Sequence, residues 1–155
     1  MTQGTVAALA ETVGALAVCA WVGGQAALGA FAARIAFAEL PRALAAPTMS
    51  HVFGSFDTLI VVAMIVLAIA ALVRLQALGL RRPADRVALA AAGALVALGL
   101  LDAWVHPAIA RMYDAGRTLE PAFRALHGLS SRAANLEVAV AALLFGAWAM
   151  ARRPA

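Results

Sequence analysis

Residues 7–40 read AALAETVGALAVCAWVGGQAALGAFAARIAFAEL, and the reading of this stretch decides the fold. Between Glu11 and Arg34 it carries no charge, a run longer than the ~20 apolar residues a helix needs to cross a bilayer. A helix over residues 5–37 would be about 50 Å long, against a hydrocarbon core of about 30 Å. The expectation is a span over residues 11–33, continued as an amphipathic extension bearing Arg34 and Glu39.

Three further apolar segments follow. The second starts at Phe53 or Phe56 and ends near Leu75, after a connector marked by Pro41 and Pro47. The third covers residues 87–105 and reaches on to Tyr113, with Pro107 placed to kink or end it. The fourth covers residues 128–151, its first turns polar and residues 138–150 uncharged. Arg117, Glu120, Pro121 and Arg124 precede it in a pattern that suits a short interfacial helix. With 65% hydrophobic and 13% charged residues, the 155-residue chain reads as all-α: one polytopic domain over residues 1–155, a bundle of four transmembrane helices with a long first helix. No basic region precedes the first segment, which favours a retained helix over a cleaved signal peptide.

All twelve basic residues are Arg and eight residues are acidic, giving a net charge of +4. The Arg residues flank apolar runs, so membrane lipid headgroups and orientation explain them better than nucleic acid, which is not expected as a partner. Six Arg (Arg74, Arg81, Arg82, Arg86, Arg152, Arg153) stand on the side of the termini and three (Arg42, Arg117, Arg124) in the other two connectors. That bias places both termini in the cytoplasm, for a multi-pass protein of the bacterial inner membrane. Cys19 is the only cysteine, which excludes an internal disulfide and suits a small core filler.

The polar residues are unevenly placed. His51, His106 and His127 all belong to the side of the first and third connectors, with Met49, Asp57, Asp102 and Asn135 in the same half. Asp102 and His106 are four apart, so a continuous helix puts them on one face. Asp57, Asp102, Asn135, Arg34 and Glu39 are candidates for a polar pocket, and His51, His106 and His127 for ligands to copper or haem. The competing account is that these groups only meet headgroups and cap helix ends. On the opposite side, Glu11 is expected to pair with Arg86 or Arg74.

Trp21, Gly23 and Gly24 are assigned to close helix packing, and Trp104 and Trp148 to interface anchoring. No phosphate loop, dinucleotide fingerprint or metalloprotease motif is present, and Ser130 beside His127 lacks an acid to organise it, so an enzyme is not favoured.

Trp21-Val-Gly-Gly24 with Phe31, Arg34, Phe37 and Glu39-Leu-Pro-Arg42, joined by Pro121-Ala-Phe123, Leu126-His127, Ser130 and Asn135, resembles the DUF4149 family of four-helix membrane proteins, which includes the eukaryotic transmembrane protein 205. The resemblance implies the four-span fold and, through that eukaryotic member's association with resistance to platinum drugs, metal or drug handling. The Trp-x-Gly-Gly turn also resembles the first helix of the copper-resistance D domain and of HemJ-like protoporphyrinogen oxidases. Those families place a histidine before the turn, where this chain has Glu11 and Thr12.

Two functions follow as expectations. The first is a small accessory or structural subunit of a membrane assembly, or a homo-oligomer. The alternative is a metal- or haem-binding transporter or sensor that uses the histidines on the non-cytoplasmic side. An enzyme holding substrate between Asp57, Asp102 and His106 ranks third.

Overall fold

The computed structural model describes residues 2–151 and is all-α. Four helices run antiparallel: α1 (Gln3–Glu39), α2 (Arg42–Leu78), α3 (Pro83–Asp114) and α4 (Pro121–Ala151). At 31 to 37 residues each is about 45–55 Å long, so its ends extend beyond a bilayer core of about 30 Å. The chain is a multi-pass integral membrane protein.

Each helix turns one stripe inward at heptad spacing, and it reads small where neighbours approach and large where they do not. On α3 the stripe is Ala88, Ala92, Leu95, Gly99 and Asp102; on α4 it is Glu137, Ala141, Leu144 and Trp148. The other faces show large apolar side chains outward, among them Leu16, Phe31, Ile65, Ile69, Leu100 and Leu143. In water that surface would be an aggregation liability; in lipid it costs nothing. The hairpins α1–α2 and α3–α4 hold the most extensive contacts, and α2 against α3 joins them.

Helix boundaries differ from the sequence expectation in three places. First, α2 starts at Arg42, because Pro47 lies in its second turn and interrupts one backbone bond there. Second, α4 starts at Pro121: the expected interfacial helix is its first two turns. Third, α3 runs through Pro107 to Asp114, and Ala115 with Gly116 (φ +69°) ends it. The Arg117–Glu120 ion pair, 2.6 Å long, then bridges the exposed turn between α3 and α4. There the Arg117 guanidinium holds the Glu120 carboxyl below the usual carboxylate range.

Within α1 the helical winding loosens twice, as π-turns at Cys19–Gly23 and Leu28–Ala32. Trp21 is fully buried in the first, with its ring against Gly99: a Cβ added at Gly99 would sit 2.8 Å from Trp21 Cη2. Gly24 is as close to Phe56, where an added Cβ would lie 2.6 Å from Cζ. Gly23, assigned to packing from the sequence, is exposed, with nothing within 4 Å of an added Cβ, because the π-turn rotates it outward. Trp148, expected as an interface anchor, is buried at 4% exposure against Gly14. Trp104 is exposed on the outer face of α3.

Candidate functional site

Two buried polar clusters occupy the bundle, separated by an apolar plug. The first lies at the end that holds the start of α1 and the end of α4. Arg74 on α2 donates from Nε to Glu11 Oε1 and from Nη2 to Asp85 Oδ1, both at 2.7 Å, and all three residues are at most 5% exposed. Of the two partners expected for Glu11, it is Arg74 that reaches it. Asp85 also accepts from the Arg82 backbone N–H at 3.0 Å, capping α3, while the Arg82 guanidinium reaches the Ala151 carbonyl at 2.7 Å. The cluster ties α1, α2, α3 and α4 together. The space beside Arg74 is about 10 Å³, room for no more than one water.

The plug is Val18, Leu67, Leu95, Leu144 and Ala147, each no more than 1% exposed. Asp85 and Asp102, on either side of it, are about 25 Å apart along α3.

Beyond the plug, near the middle of all four helices, lies the second cluster. His106 Nδ1 is 2.6 Å from Asp57 Oδ1, and its Nε2 is 3.0 Å from Ser130 Oγ. Asp102 Oδ1 stands 3.7 Å from the same Nε2. Asp102 Oδ2 accepts from Gln25 Nε2 at 3.2 Å, and Gln25 Oε1 accepts from Trp21 Nε1 at 3.2 Å. Glu137, fully buried at the midpoint of α4, faces Asp102. One side chain or more from each helix thus meets in a network that a bilayer would surround on every side.

The connectivity Asp57–His106–Ser130 is that of a nucleophile triad. The helix around Ser130 removes the remaining requirement, because backbone N–H groups there are committed to the preceding turn and cannot form an oxyanion hole. The arrangement fits proton exchange better than acyl transfer.

Access is one-sided. An open groove of about 330 Å³ between α2 and α3, lined by Ser50, His51, Ser55 and Asp114 among others, stops about one turn short of the His106–Asp57 pair. His106 is 14% exposed and Asp57 28%, whereas Asp102 and Glu137 are wholly buried.

The candidate residues divide accordingly. Asp57, Asp102 and His106 come together. Arg34 and Glu39 are exposed near the end of α1, and Asn135 is exposed on α4, so these three lie outside the pocket expected to hold them. The three histidines are dispersed: His51 is exposed beside the groove, and His127 is exposed and stacked on Phe123 at 6.0 Å. His106 already has a partner on each ring nitrogen. Among the described residues no group of three His, Cys, Asp or Glu side chains is placed to hold a metal ion, and the three histidines named as candidates for copper or haem do not come together. Cys19, expected as a core filler, is exposed.

Glu137, Ser130 and Gln25 were missed as members of the site. Glu137 falls next to the polar first turns of a fourth segment begun at residue 128, seven residues after the helix starts. The available signal was its place on the buried stripe, four, seven and eleven residues before Ala141, Leu144 and Trp148.

No curated protein and no solved structure matches this chain. A family does: residues 16–118, from the middle of α1 to the turn after α3, match the domain of unknown function DUF4149. That stretch includes Trp21, Gln25, Asp57, Asp102 and His106 and leaves α4 outside it. Since the match spans more than half of its length, the chain belongs to the DUF4149 family.

Proposed function

We propose that the protein handles protons within the membrane, exchanging them between the groove side and the centre of the bundle through His106. The observation that carries this reading is the clamp on His106, whose two ring nitrogens face Asp57 and Ser130 at 2.6 and 3.0 Å. Imidazole accepts on one nitrogen and releases from the other, and an ionisable residue inside a transmembrane bundle is a functional group by default. The Arg74 cluster and the apolar plug close the opposite half, so exchange runs from one side. The positive-inside bias of the Arg residues supports reading that side as the non-cytoplasmic face of a bacterial inner membrane. The test is stopped-flow proton uptake by proteoliposomes carrying a pH-sensitive dye, after an external pH jump. Wild-type protein is expected to add a fast uptake phase that His106→Gln slows at least tenfold; identical kinetics in the two would overturn the reading.

A second reading, an accessory or structural subunit or a homo-oligomer, is supported by the outer face of α1. Gly23, Ala26, Ala27 and Ala30 are exposed there, a surface that lets another transmembrane helix approach closely. Native mass spectrometry from mild detergent tests it, with isolated monomers as the result against it. The likeness to the copper-resistance D domain and HemJ-like proteins rests on the Trp21–Gly24 turn and that to transmembrane protein 205 on the wider family pattern, and none of them carries a metal or haem assignment to this chain.

A further inference from the structure

We propose that Asp102 and Glu137 together form a binding site for a single proton at the centre of the bundle, the proton bridging from Glu137 to Asp102 Oδ1. The site rests on orphaned atoms. Both Glu137 oxygens and Asp102 Oδ1 are buried and have no hydrogen-bond partner, although both residues are 0% exposed. A buried acceptor left without a donor is costly, and the more so when it is charged. Two of the three, one on each carboxyl, are satisfied by one missing donor, and the third becomes the uncharged C=O of the acid. A carboxylic acid supplies it: Glu137 O–H donates to Asp102 Oδ1, and Asp102 Oδ2 keeps its bond from Gln25.

Apart from His106, whose Nε2 stands 3.7 Å from Asp102 Oδ1, the surroundings leave no counter-charge. On α1 the facing groups are Gln25 and Trp21, both neutral. On α2 the titratable group is Asp57, which is an acid and is engaged with His106. On α3 it is His106, whose ring nitrogens already face Asp57 and Ser130. On α4 it is Glu137 itself, with Ser130 uncharged. The guanidinium nearest along the core, Arg74, is held by Glu11 and Asp85 beyond the plug. Two bare carboxylates side by side in this setting would repel each other at low dielectric, and one proton removes that repulsion.

A metal cation is the alternative occupant. It needs several oxygen ligands at once, and of the groups here Gln25 Oε1 already accepts from Trp21 while Gln25 Nε2 and Trp21 Nε1 present donors, which repel a cation. One proton gives Asp102 Oδ1 its donor and leaves Glu137 uncharged. This inference extends the proposed proton exchange by naming where the proton rests, yet the pair stands on its own geometry.

Infrared spectroscopy of the full chain in lipid nanodiscs reads the site directly. Wild-type protein at neutral pH is expected to show one protonated-carboxyl C=O band, shifted on exchange into D₂O, lost in Glu137→Gln and shifted or lost in Asp102→Asn, but retained in the surface control Asp114→Asn. Absence of the band in wild-type protein overturns the site without recourse to any variant, as does a band untouched by both core substitutions. A carboxylate spectrum that changes on adding sodium or potassium chloride, with no protonated band, assigns the site to a cation and also overturns it. A His106→Gln variant separates the two readings: if the band persists while its exchange into D₂O keeps the wild-type rate, the relay through His106 fails and the proton site stands.

Discussion

Arg74 Nε meets Glu11 Oε1 at 2.7 Å across 63 residues of chain, with both side chains no more than 6% exposed. Because Arg74 also holds Asp85, its removal strands two buried carboxylates rather than one. Arg74→Met is expected to destabilise the bundle by about 3–5 kcal/mol, the cost of leaving a buried charge unpaired. Joint replacement of Glu11, Arg74 and Asp85 by apolar residues of similar volume is expected to cost less than the single change. Reversible unfolding in mixed micelles, comparing the single and triple variants, checks this; a triple variant less stable than Arg74→Met would refute it.

At Gly99 the indole of Trp21 fills the space a methyl would need, 2.8 Å from the added Cβ, and Trp21 is fully buried. Gly99→Ala is therefore expected to cost about 1–3 kcal/mol by overpacking. Gly93, on the same helix with nothing within 4 Å, gives the control: Gly93→Ala is expected to be neutral or stabilising. Thermal unfolding of the two variants in the same detergent decides the matter.

His106 should report the clamp in its own spectrum. With Asp57 at 2.6 Å from Nδ1, the ring proton on that nitrogen is expected to resonate far downfield in ¹⁵N-edited spectra of nanodisc samples. Asp57→Asn is expected to abolish the shift, and Ser130→Ala to alter the Nε2 side alone. A single unchanged His106 signal in all three proteins would contradict the arrangement.

Glu120 titrates outside the membrane, next to Arg117. Its folded-state value is lowered, so whatever the pair contributes is present above the usual carboxylate range and fades as pH falls through the lowered value. Side-chain NMR titration is expected to place Glu120 below an ordinary glutamate, with Arg117→Ala returning it. Since both side chains are largely exposed, no change in bundle stability should accompany the substitution.

Much of the fold was legible in the sequence for one physical reason: a bilayer leaves the backbone little choice. Charge-free runs of 20 residues must be helical there, and Arg-rich connectors mark their ends. The same logic found Glu11 with Arg74, and Asp102 with His106 through their four-residue spacing. It failed where local composition imitates a boundary. Pro47 marks a connector and the Arg117–Arg124 stretch a separate interfacial helix by composition, yet both fall in or before the opening turns of helices that tolerate them. That displaced start made Glu137 an entrance residue rather than a midpoint one. Asn135 and Arg34 shared a side of the membrane with the site, but a shared depth does not fix which way round the helix a side chain points. Gln25 and Ser130 needed tertiary structure: Gln25 carries no charge to draw notice, and Ser130, read beside His127, instead faces His106 on another helix.

The two π-turns of α1 bear on how this helix tolerates changes in length. Each holds one residue more than the α-helical turn it replaces, so deleting a residue within either would let the winding close to regular α-helix while the arms on its two sides keep nearly the same phase. The first turn lies between the arm gripped by Arg74 and the arm that offers Gln25 to Asp102, and a deletion within it leaves both grips in register. A residue removed between Glu11 and Gly14 instead turns the buried Gly14 and Val18 by about 100° about the helix axis. Viable single-residue deletions of this helix should therefore cluster within residues 19–23 and 28–32 and be missing between residues 11 and 14.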